Sequence, residues 1–250
     1  MAVTASDIVI YASQYKPKND TDTSGGDINS GLRVTFTDIV STDVVELLSS
    51  SASDSGNVVI TGRNSAGILL NETVALSGTT TVSGSQQFER IVSAIYSSTP
   101  VGDITLRDAS TDASIGVIYT NESGFERVFY DATANQAGGD DKILYEKVFV
   151  KNNNTSTALN NVTVGEVATG LYTIIEFGLE EVKQSSESTA NRTVVPTGVN
   201  TFGDNASSGL PQDGYLNPLD YQGVWLKLTL EDGASTSNSF YRLQIDGVSA

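Results

Sequence analysis

The sequence predicts an all-β protein, and three observations lead to that prediction. Hydrophobic residues recur at every second position in many short runs, which is the pattern of a half-buried strand. The 250-residue chain has 23 glycines and 10 tyrosines and is rich in threonine and valine, a composition that favours turns and strands over helices. Residues 57–96 contain three such runs separated by turns. Antiparallel sheets with one solvated face have this pattern, so we expect sandwiches or barrels with long polar loops.

The first two runs of this segment predict strands more clearly than the third. Val58 and Ile60 alternate with polar or small residues, and Ile68 and Leu70 do so after the turn sequence RNSAG. The third run, residues 88–95, is compatible with a strand or with a short helix. Further strands are predicted at residues 7–13, 32–39, 43–49, 103–108, 114–120, 128–130, 143–150, 159–164, 171–179, 223–230 and 239–245.

Two polar stretches separate these strands and are candidate contact segments. Residues 14–31 carry Pro17, a glycine pair and several carboxylates, so we expect a surface loop that builds no core. This loop is longer than ordinary connections, which makes it a candidate contact arm. Residues 180–218 form the second polar stretch. Trp225, near the Asp-Gly turn at residues 232–233, is interpreted as a core anchor, with ligand stacking as the alternative.

The length of the chain is enough for two domains, each able to bury a core. We predict an N-terminal β-sandwich domain at residues 1–122 and a C-terminal β-sandwich domain at residues 123–250. The boundary is placed in the polar segment 121–124, NESG. No repeat of fixed period relates the two halves, which argues against a solenoid or a propeller.

Composition excludes several classes of function. The net charge of −16 leaves no basic stripe to neutralise phosphates, so we expect no nucleic-acid partner. The chain has no cysteine, and therefore neither disulfides nor a thiol nucleophile. No run approaches the roughly 20 apolar residues of a membrane span, and the first residues lack the pattern of a signal peptide. We therefore expect no membrane partner, and a bacterial cytoplasm is a compatible place of synthesis.

The chain has few candidates for catalytic or metal-binding residues. The chain has no histidine, which excludes Ser-His-Asp and Cys-His arrangements and imidazole zinc sites. Phosphate-cradling glycine motifs are absent as well. A glycosidase uses a pair of carboxylates, but Glu72 and Glu176, both in strand patterns, have no visible partner. We predict that the protein is not an enzyme and has no cofactor and no catalytic or metal residue.

Calcium is the remaining metal alternative. Asp20, Asp22 and Asp27 lie in one loop, and an Asp pair at residues 140–141 follows two glycines. The first loop fails the EF-hand pattern, because Gly31 stands where the closing glutamate belongs. Such Asp- and Gly-rich segments are usually turns.

Short motifs along most of the chain carry a resemblance to a known family. In order they are KPKNDTDTSGGDI (16–28), VTFTDI (34–39), VVELLSSSASD (44–54), VVITGRNSAG (58–67), ETVALSGTTTV (72–82), FERIVSA (88–94), FERVFYDA (125–132) and YEKVFVKN (145–152). Together they resemble structural proteins of tailed bacteriophages and prophages. The resemblance implies a virion component without enzymatic activity: a capsid decoration, or cement, protein on the outer surface of the head. The alternatives are a tail, baseplate or fibre-associated structural or adhesion protein, and a hydrolase of surface polysaccharide.

A decoration protein would bind the major capsid protein and neighbouring copies of itself, as a dimer or trimer. The two polar stretches would supply the contacts, with apolar anchors giving affinity and charge selecting the partner. The alternative for each anchor is ordinary packing onto its own domain. The candidate protein-contact residues are Tyr15, Lys16, Pro17, Phe202, Leu210 and Tyr215.

Overall fold

The structure is a computed structural model that describes residues 2–34, 37–39, 41–129, 132, 138–166, 175–203, 208–211, 213–233 and 241–249. Within these ranges the chain forms strands, one short 3-10 turn at Ala5–Asp7 and no α-helix, so the all-β prediction is confirmed. The described residues therefore include no helix able to cross a membrane. In chain order the strands are β1 (Ile8–Tyr15), β2 (Ser24–Arg33), β3 (Val45–Ser49), β4 (Asn57–Arg63), β5 (Leu69–Ala75), β6 (Val82–Ser83), β7 (Arg90–Tyr96), β8 (Ile104–Asp108), β9 (Ser114–Ile118), β10 (Gly124–Glu126), β11 (Lys142–Asn152), β12 (Leu159–Glu166), β13 (Ile175–Leu179), β14 (Ser188–Thr189), β15 (Ser208–Gly209), β16 (Tyr221–Leu230) and β17 (Leu243–Ser249).

The chain divides into two compact units. Ser30–Tyr130 forms one, here called the continuous unit, and Met1–Asn29 with Asp131–Ala250 forms the other, the discontinuous unit. The predicted division at residue 122 differs from this one mainly at the N-terminus. The first strand belongs with the C-terminal residues because β1 pairs antiparallel with β11.

The continuous unit is a sandwich of two sheets around an apolar core. One sheet has the order β6-β3-β8-β9, and the other contains β10, β7, β4 and β5. Val58 and Ile60 of β4 are fully buried, whereas their neighbours Asn57 and Val59 are exposed and Thr61 is half-buried, as the alternation predicts. They share one core cluster with Leu47 and Leu106 of the opposite sheet. The strands predicted in residues 57–96 are confirmed, and the ambiguous third run is a strand, β7.

The discontinuous unit is organised around the long strand β11. Its main sheet has the order β13-β16-β11-β1-β2, with β14 paired to the first residues of β2. A second, three-stranded sheet has the order β15-β12-β17. Both faces of β11 are buried from Leu144 to Val150, and its edge pairs with β16 from Lys142 to Lys151. Trp225 of β16 is fully buried, which confirms its prediction as a core residue.

The prediction that residues 14–31 form a coreless loop is wrong in its second half. Residues 24–31 lie within β2, and Ser24, Gly25 and Gly26 are buried. Gly25 has φ +93°, and a Cβ there would lie 2.6 Å from the Trp225 ring and 2.7 Å from the carbonyl oxygen of Glu187. The glycine pair thus allows close packing of the backbone rather than a turn.

Several strand predictions also differ from the structure at their ends. The strand predicted at 32–39 ends at Arg33, and residues 37–39 are not in a strand, while Thr35 and Phe36 lie outside the described residues. Val128 is not in a strand, because the pairing in that region is made by β10, and Tyr130 is outside the described residues. Residues 171–174 and 239–240 lie outside them too, so β13 begins at Ile175 and β17 runs later than predicted, to Ser249.

Candidate contact surface

The first group of predicted contact residues lies just after β1. Tyr15 ends that strand and is 42% exposed. Lys16 is half-buried, with its Nζ 3.4 Å from Oε2 of Glu146, and Pro17 is buried. Tyr15 is therefore the residue of this group that offers an apolar surface to solvent, while Pro17 packs within its own unit.

An open, shallow depression of about 500 Å³ adjoins this turn. The loop beside it is held by its own carboxylate: Asp22 accepts hydrogen bonds of 2.9 Å from the backbone of Lys18 and from the side chain of Asn19. The residues that line it are Gln14, Tyr15, Lys16, Lys18, Thr21, Asp22 and Thr23.

The carboxylates considered for calcium have other partners. Oδ1 of Asp20 lies 2.8 Å from the Arg192 guanidinium, and Asp20 also pairs with Lys142. Burial alone would raise the pKa of Asp20, but these two cations outweigh it and hold the pKa below its usual range. Asp27 accepts a hydrogen bond from the hydroxyl of Tyr221. In the described part of the chain, no three acidic side chains are grouped as a metal site.

The second group of predicted contact residues is divided between the interior and the surface. Phe202 is half-buried, with its ring centroid 5.5 Å from that of Tyr145. Leu210 is buried, and its backbone N–H donates to the carbonyl of Val162. Tyr215 is exposed, and its backbone N–H donates to Asp213. Of the six candidates, the two tyrosines are therefore the exposed ones.

A fully buried ion pair holds the beginning of the second polar stretch. Lys147 of β11 is 0% exposed and Glu180 is 1% exposed, with 2.7 Å between Nζ and Oε1. The Lys147 ammonium also donates to three backbone carbonyls, those of Gly26, Ser185 and Glu187, at 3.0–3.2 Å. Four acceptors around one ammonium favour its charged form, so a single side chain fastens β2 and residues 180–187 to the sheet.

Neighbouring residues complete this buried pair. The indole N–H of Trp225 donates to Oε1 of Glu180 at 3.1 Å. Gly223 makes room for the carboxylate, because a Cβ at this position would collide with Oε2 of Glu180. Burial raises the pKa of Glu180 and lowers the pKa of Lys147, and each partner opposes the shift of the other.

The opposite face of β11 has a second charged cluster. Arg192 is buried, and its guanidinium lies between Asp20 and the buried carboxylate of Glu146, 3.5 Å from the latter. The carbonyl of Arg192 accepts a 2.7 Å hydrogen bond from the backbone N–H of Tyr145. Adjacent residues of one strand, Glu146 and Lys147, thus fix residues 180–192 through opposite faces of the sheet.

Most lysines and arginines of the chain are neutralised by ion pairs with its own carboxylates. Of its 14 lysines and arginines, at least nine form ion pairs with carboxylates in the described part of the chain, among them Lys227 with Glu176. Glu72 accepts hydrogen bonds from Ser85 and Gln86. Glu72 and Glu176 therefore each have a structural partner, and the surface keeps a large excess of negative charge.

The sequence predictions missed Lys147, Glu180 and Arg192. The sequence does contain an indication for Lys147, because the pair Glu-Lys interrupts the apolar strand sequence ILYEKVFV. If that strand is buried, both charged side chains need hydrogen-bonding or ionic partners. The sequence contains no such indication for Glu180 and Arg192, because each finds its partner across more than 30 residues of chain.

Comparisons of the chain with protein-family models, with curated proteins and with solved structures gave no match.

Proposed function

We propose that this chain is a capsid decoration protein of a tailed bacteriophage, which binds the outer surface of the head and stabilises neighbouring subunits of the major capsid protein. The proposal starts from the resemblance of the ordered motifs between residues 16 and 152 to phage structural proteins. A protein in this role works by binding alone, and it needs a stiff body with segments that reach its neighbours.

The observation that carries the proposal is the attachment of the polar segments to β11. Residues 180–192 contain few apolar side chains to bury, yet Lys147 and Arg192 pin them to the sheet from both sides. Fixing a loop before binding lowers the entropy that must be lost on association. This construction suits a clamp that holds a rigid neighbour.

Charge supports the same role. With a net charge of −16, the chain repels packaged DNA and favours a basic or weakly charged protein surface. The same charge weakens contacts between copies, so a dimer or trimer would form where capsid subunits hold the copies in place. The partners proposed are thus the major capsid protein first and neighbouring copies second.

Purified particles test the proposal. DNA-filled heads that lack tails should contain the chain, with a copy number matched to that of the capsid subunits, as measured by quantitative mass spectrometry. Heads assembled without it should bind the purified chain and resist heating better afterwards. Presence of the tagged chain on tails and its absence from tailless heads would refute the proposal in favour of a tail, baseplate or fibre protein.

A further inference from the structure

A strained turn in the discontinuous unit carries an exposed leucine. The carbonyl of Asn217 accepts a 3.0 Å hydrogen bond from the N–H of Asp220, which closes a turn with Pro218 and Leu219 at its centre. Leu219 has φ +66°. Glycine or asparagine usually occupies such a position, because a larger side chain collides with its own backbone there. Leu219 nevertheless occupies this position, with its side chain exposed to solvent.

A second strained residue belongs to the same cluster. Gln184 has φ +57°, and its side-chain amide donates a 2.6 Å hydrogen bond to Asp220. The other described non-glycine residues with positive φ are aspartate or asparagine, which tolerate it, apart from Phe129. Strain of this kind persists where the surroundings impose it, and it concentrates at functional sites.

Hydrogen bonds from Asn152 of β11 and from Lys183 hold the turn at Leu219 in this conformation. Asn152 is fully buried at the end of that strand, and its side-chain amide donates to the carbonyls of Leu216 and Asn217. Its backbone carbonyl accepts a hydrogen bond from the N–H of Leu219. Lys183 links the two sides of the cluster, because its Nζ contacts the carboxylate of Asp213 at 2.8 Å and the carbonyl of Tyr215 at 3.0 Å. The turn and the 182–184 segment are therefore held in one network.

This network presents three large apolar side chains to solvent. Val182 is 57% exposed, Tyr215 42% and Leu219 51%. Val182 precedes Lys183, Tyr215 contributes its carbonyl to that lysine, and Leu219 precedes Asp220, so each belongs to the network itself. Folding gains nothing from leaving them exposed, whereas a partner would gain affinity by burying them.

We propose that Val182, Tyr215 and Leu219 form a docking surface, the 182–219 patch, for a protein that offers an apolar pocket with basic side chains at its rim. Charge selects this occupant, because each patch residue has a carboxylate beside it: Glu181 precedes Val182, Asp213 accepts the backbone N–H of Tyr215, and Asp220 follows Leu219. The ammonium of Lys183 is neutralised by two of these carboxylates, Asp213 and Asp220. A second copy would bring the same carboxylates against each other and is disfavoured. The inference rests on the proposed function, under which the partner is the major capsid protein.

The substitution Leu219→Asn tests the patch, because it separates binding from stability. Asparagine tolerates positive φ, so the thermal midpoint should stay the same or rise by up to about 3 °C. Binding to purified heads that lack this chain should weaken by about tenfold to thirtyfold, as expected when a central apolar contact is lost. Val101→Asn, which alters a valine that is 63% exposed in the continuous unit, is the control and should bind like the wild type.

The charge of the rim is tested with Glu181→Gln. This exposed carboxylate should contribute to association, so its loss should slow binding to the same heads and reduce the effect of added salt. Heads that bind Leu219→Asn as tightly as wild type would overturn the patch and leave the proposed function standing. Failure of the wild-type chain to bind heads at all would overturn both. If the free chain self-associates and Leu219→Asn abolishes this self-association, the occupant of the patch is a second copy, and the proposal of a partner with basic side chains is refuted.

Discussion

The two units hold themselves together in different ways. The continuous unit has a single apolar core between two sheets, it contains no lysine, and its five arginines are half-buried near the surface. The discontinuous unit buries Lys147 and Arg192 completely, together with Asn152 and Gln222. The difference follows from what each unit carries. The strands of the continuous unit are held mainly by apolar burial, with single buried carboxylates such as Asp54 and Asp108 accepting hydrogen bonds beside the core. A polar segment with few apolar side chains must instead be fixed by hydrogen bonds and ion pairs.

This comparison predicts that the discontinuous unit depends more strongly than the continuous unit on single polar side chains. Removing one partner of a buried pair leaves the other charge unpaired, which is far more costly than replacing both. A small loss in an apolar core, by contrast, is shared by many contacts. Variants at buried polar positions can therefore show whether the polar segments are fastened as the geometry indicates.

The largest effect is expected for Lys147→Met. It should lower the free energy of unfolding by about 3–5 kcal/mol, because Glu180 and three backbone carbonyls lose their donor in a buried site. Trp225, the single tryptophan, reports the unfolding of this unit in urea by its fluorescence. The double variant Lys147→Met with Glu180→Leu should recover part of the loss. Lys18→Met, at an exposed lysine, is the control, and an equal effect there would contradict the role of the buried pair.

A smaller loss is expected for Gly25→Ala. The new Cβ would meet the Trp225 ring at 2.6 Å, and alanine is strained at φ +93°, so we expect a cost of about 2–4 kcal/mol. Gly198→Ala is a matched control in the same unit, because Gly198 has φ +62° and open space at its Cβ position. The fluorescence spectrum of Trp225 should shift in the first variant and stay unchanged in the second. Equal losses in the two variants would show that only backbone strain matters at Gly25.

The same contrast explains what the sequence could predict. Period-two alternation made β3, β4, β5 and β8 predictable, because each of these strands has one face in the apolar core of a sandwich. It failed at β2, because the glycines and the one carboxylate of this strand, Asp27, are typical of a loop, and only the structure shows the Trp225 ring packed on Gly25. Pairing partners such as β1 with β11 are distant in the chain, so the grouping of residues 1–29 with the C-terminal residues had no local signal.

The candidate contact surface was predicted only in part, for a related reason. Tyr15 and Tyr215 are exposed as a contact role requires, but apolar character alone did not distinguish them from Pro17 and Leu210, which are buried. Leu219 was missed because its signal is conformational. The sequence NPLD indicates a turn, yet only the backbone angle shows that leucine occupies a position suited to glycine.

The smallest effect is expected in the continuous unit, at its buried carboxylate Asp54. Burial alone would raise its pKa, but hydrogen bonds from the Ser49 hydroxyl and from the backbone of Val101 and Gly102 outweigh it and lower the pKa. Because the folded-state pKa is depressed, Asp54 stabilises the fold above about pH 4, and this contribution is lost as the pH falls through the folded-state value.

Asp54→Asn should therefore cost about 1–2 kcal/mol near neutral pH and progressively less below about pH 4, as measured by urea unfolding at a series of pH values. The transition should be followed by circular dichroism, because the fluorescence of Trp225 reports the other unit. Glu89→Gln removes an exposed carboxylate from the same unit and controls for the change in net charge. A loss that is independent of pH would mean that the shape of the Asp54 side chain matters and its charge does not. The continuous unit would then differ from the discontinuous one in having no stabilising buried charge at this position.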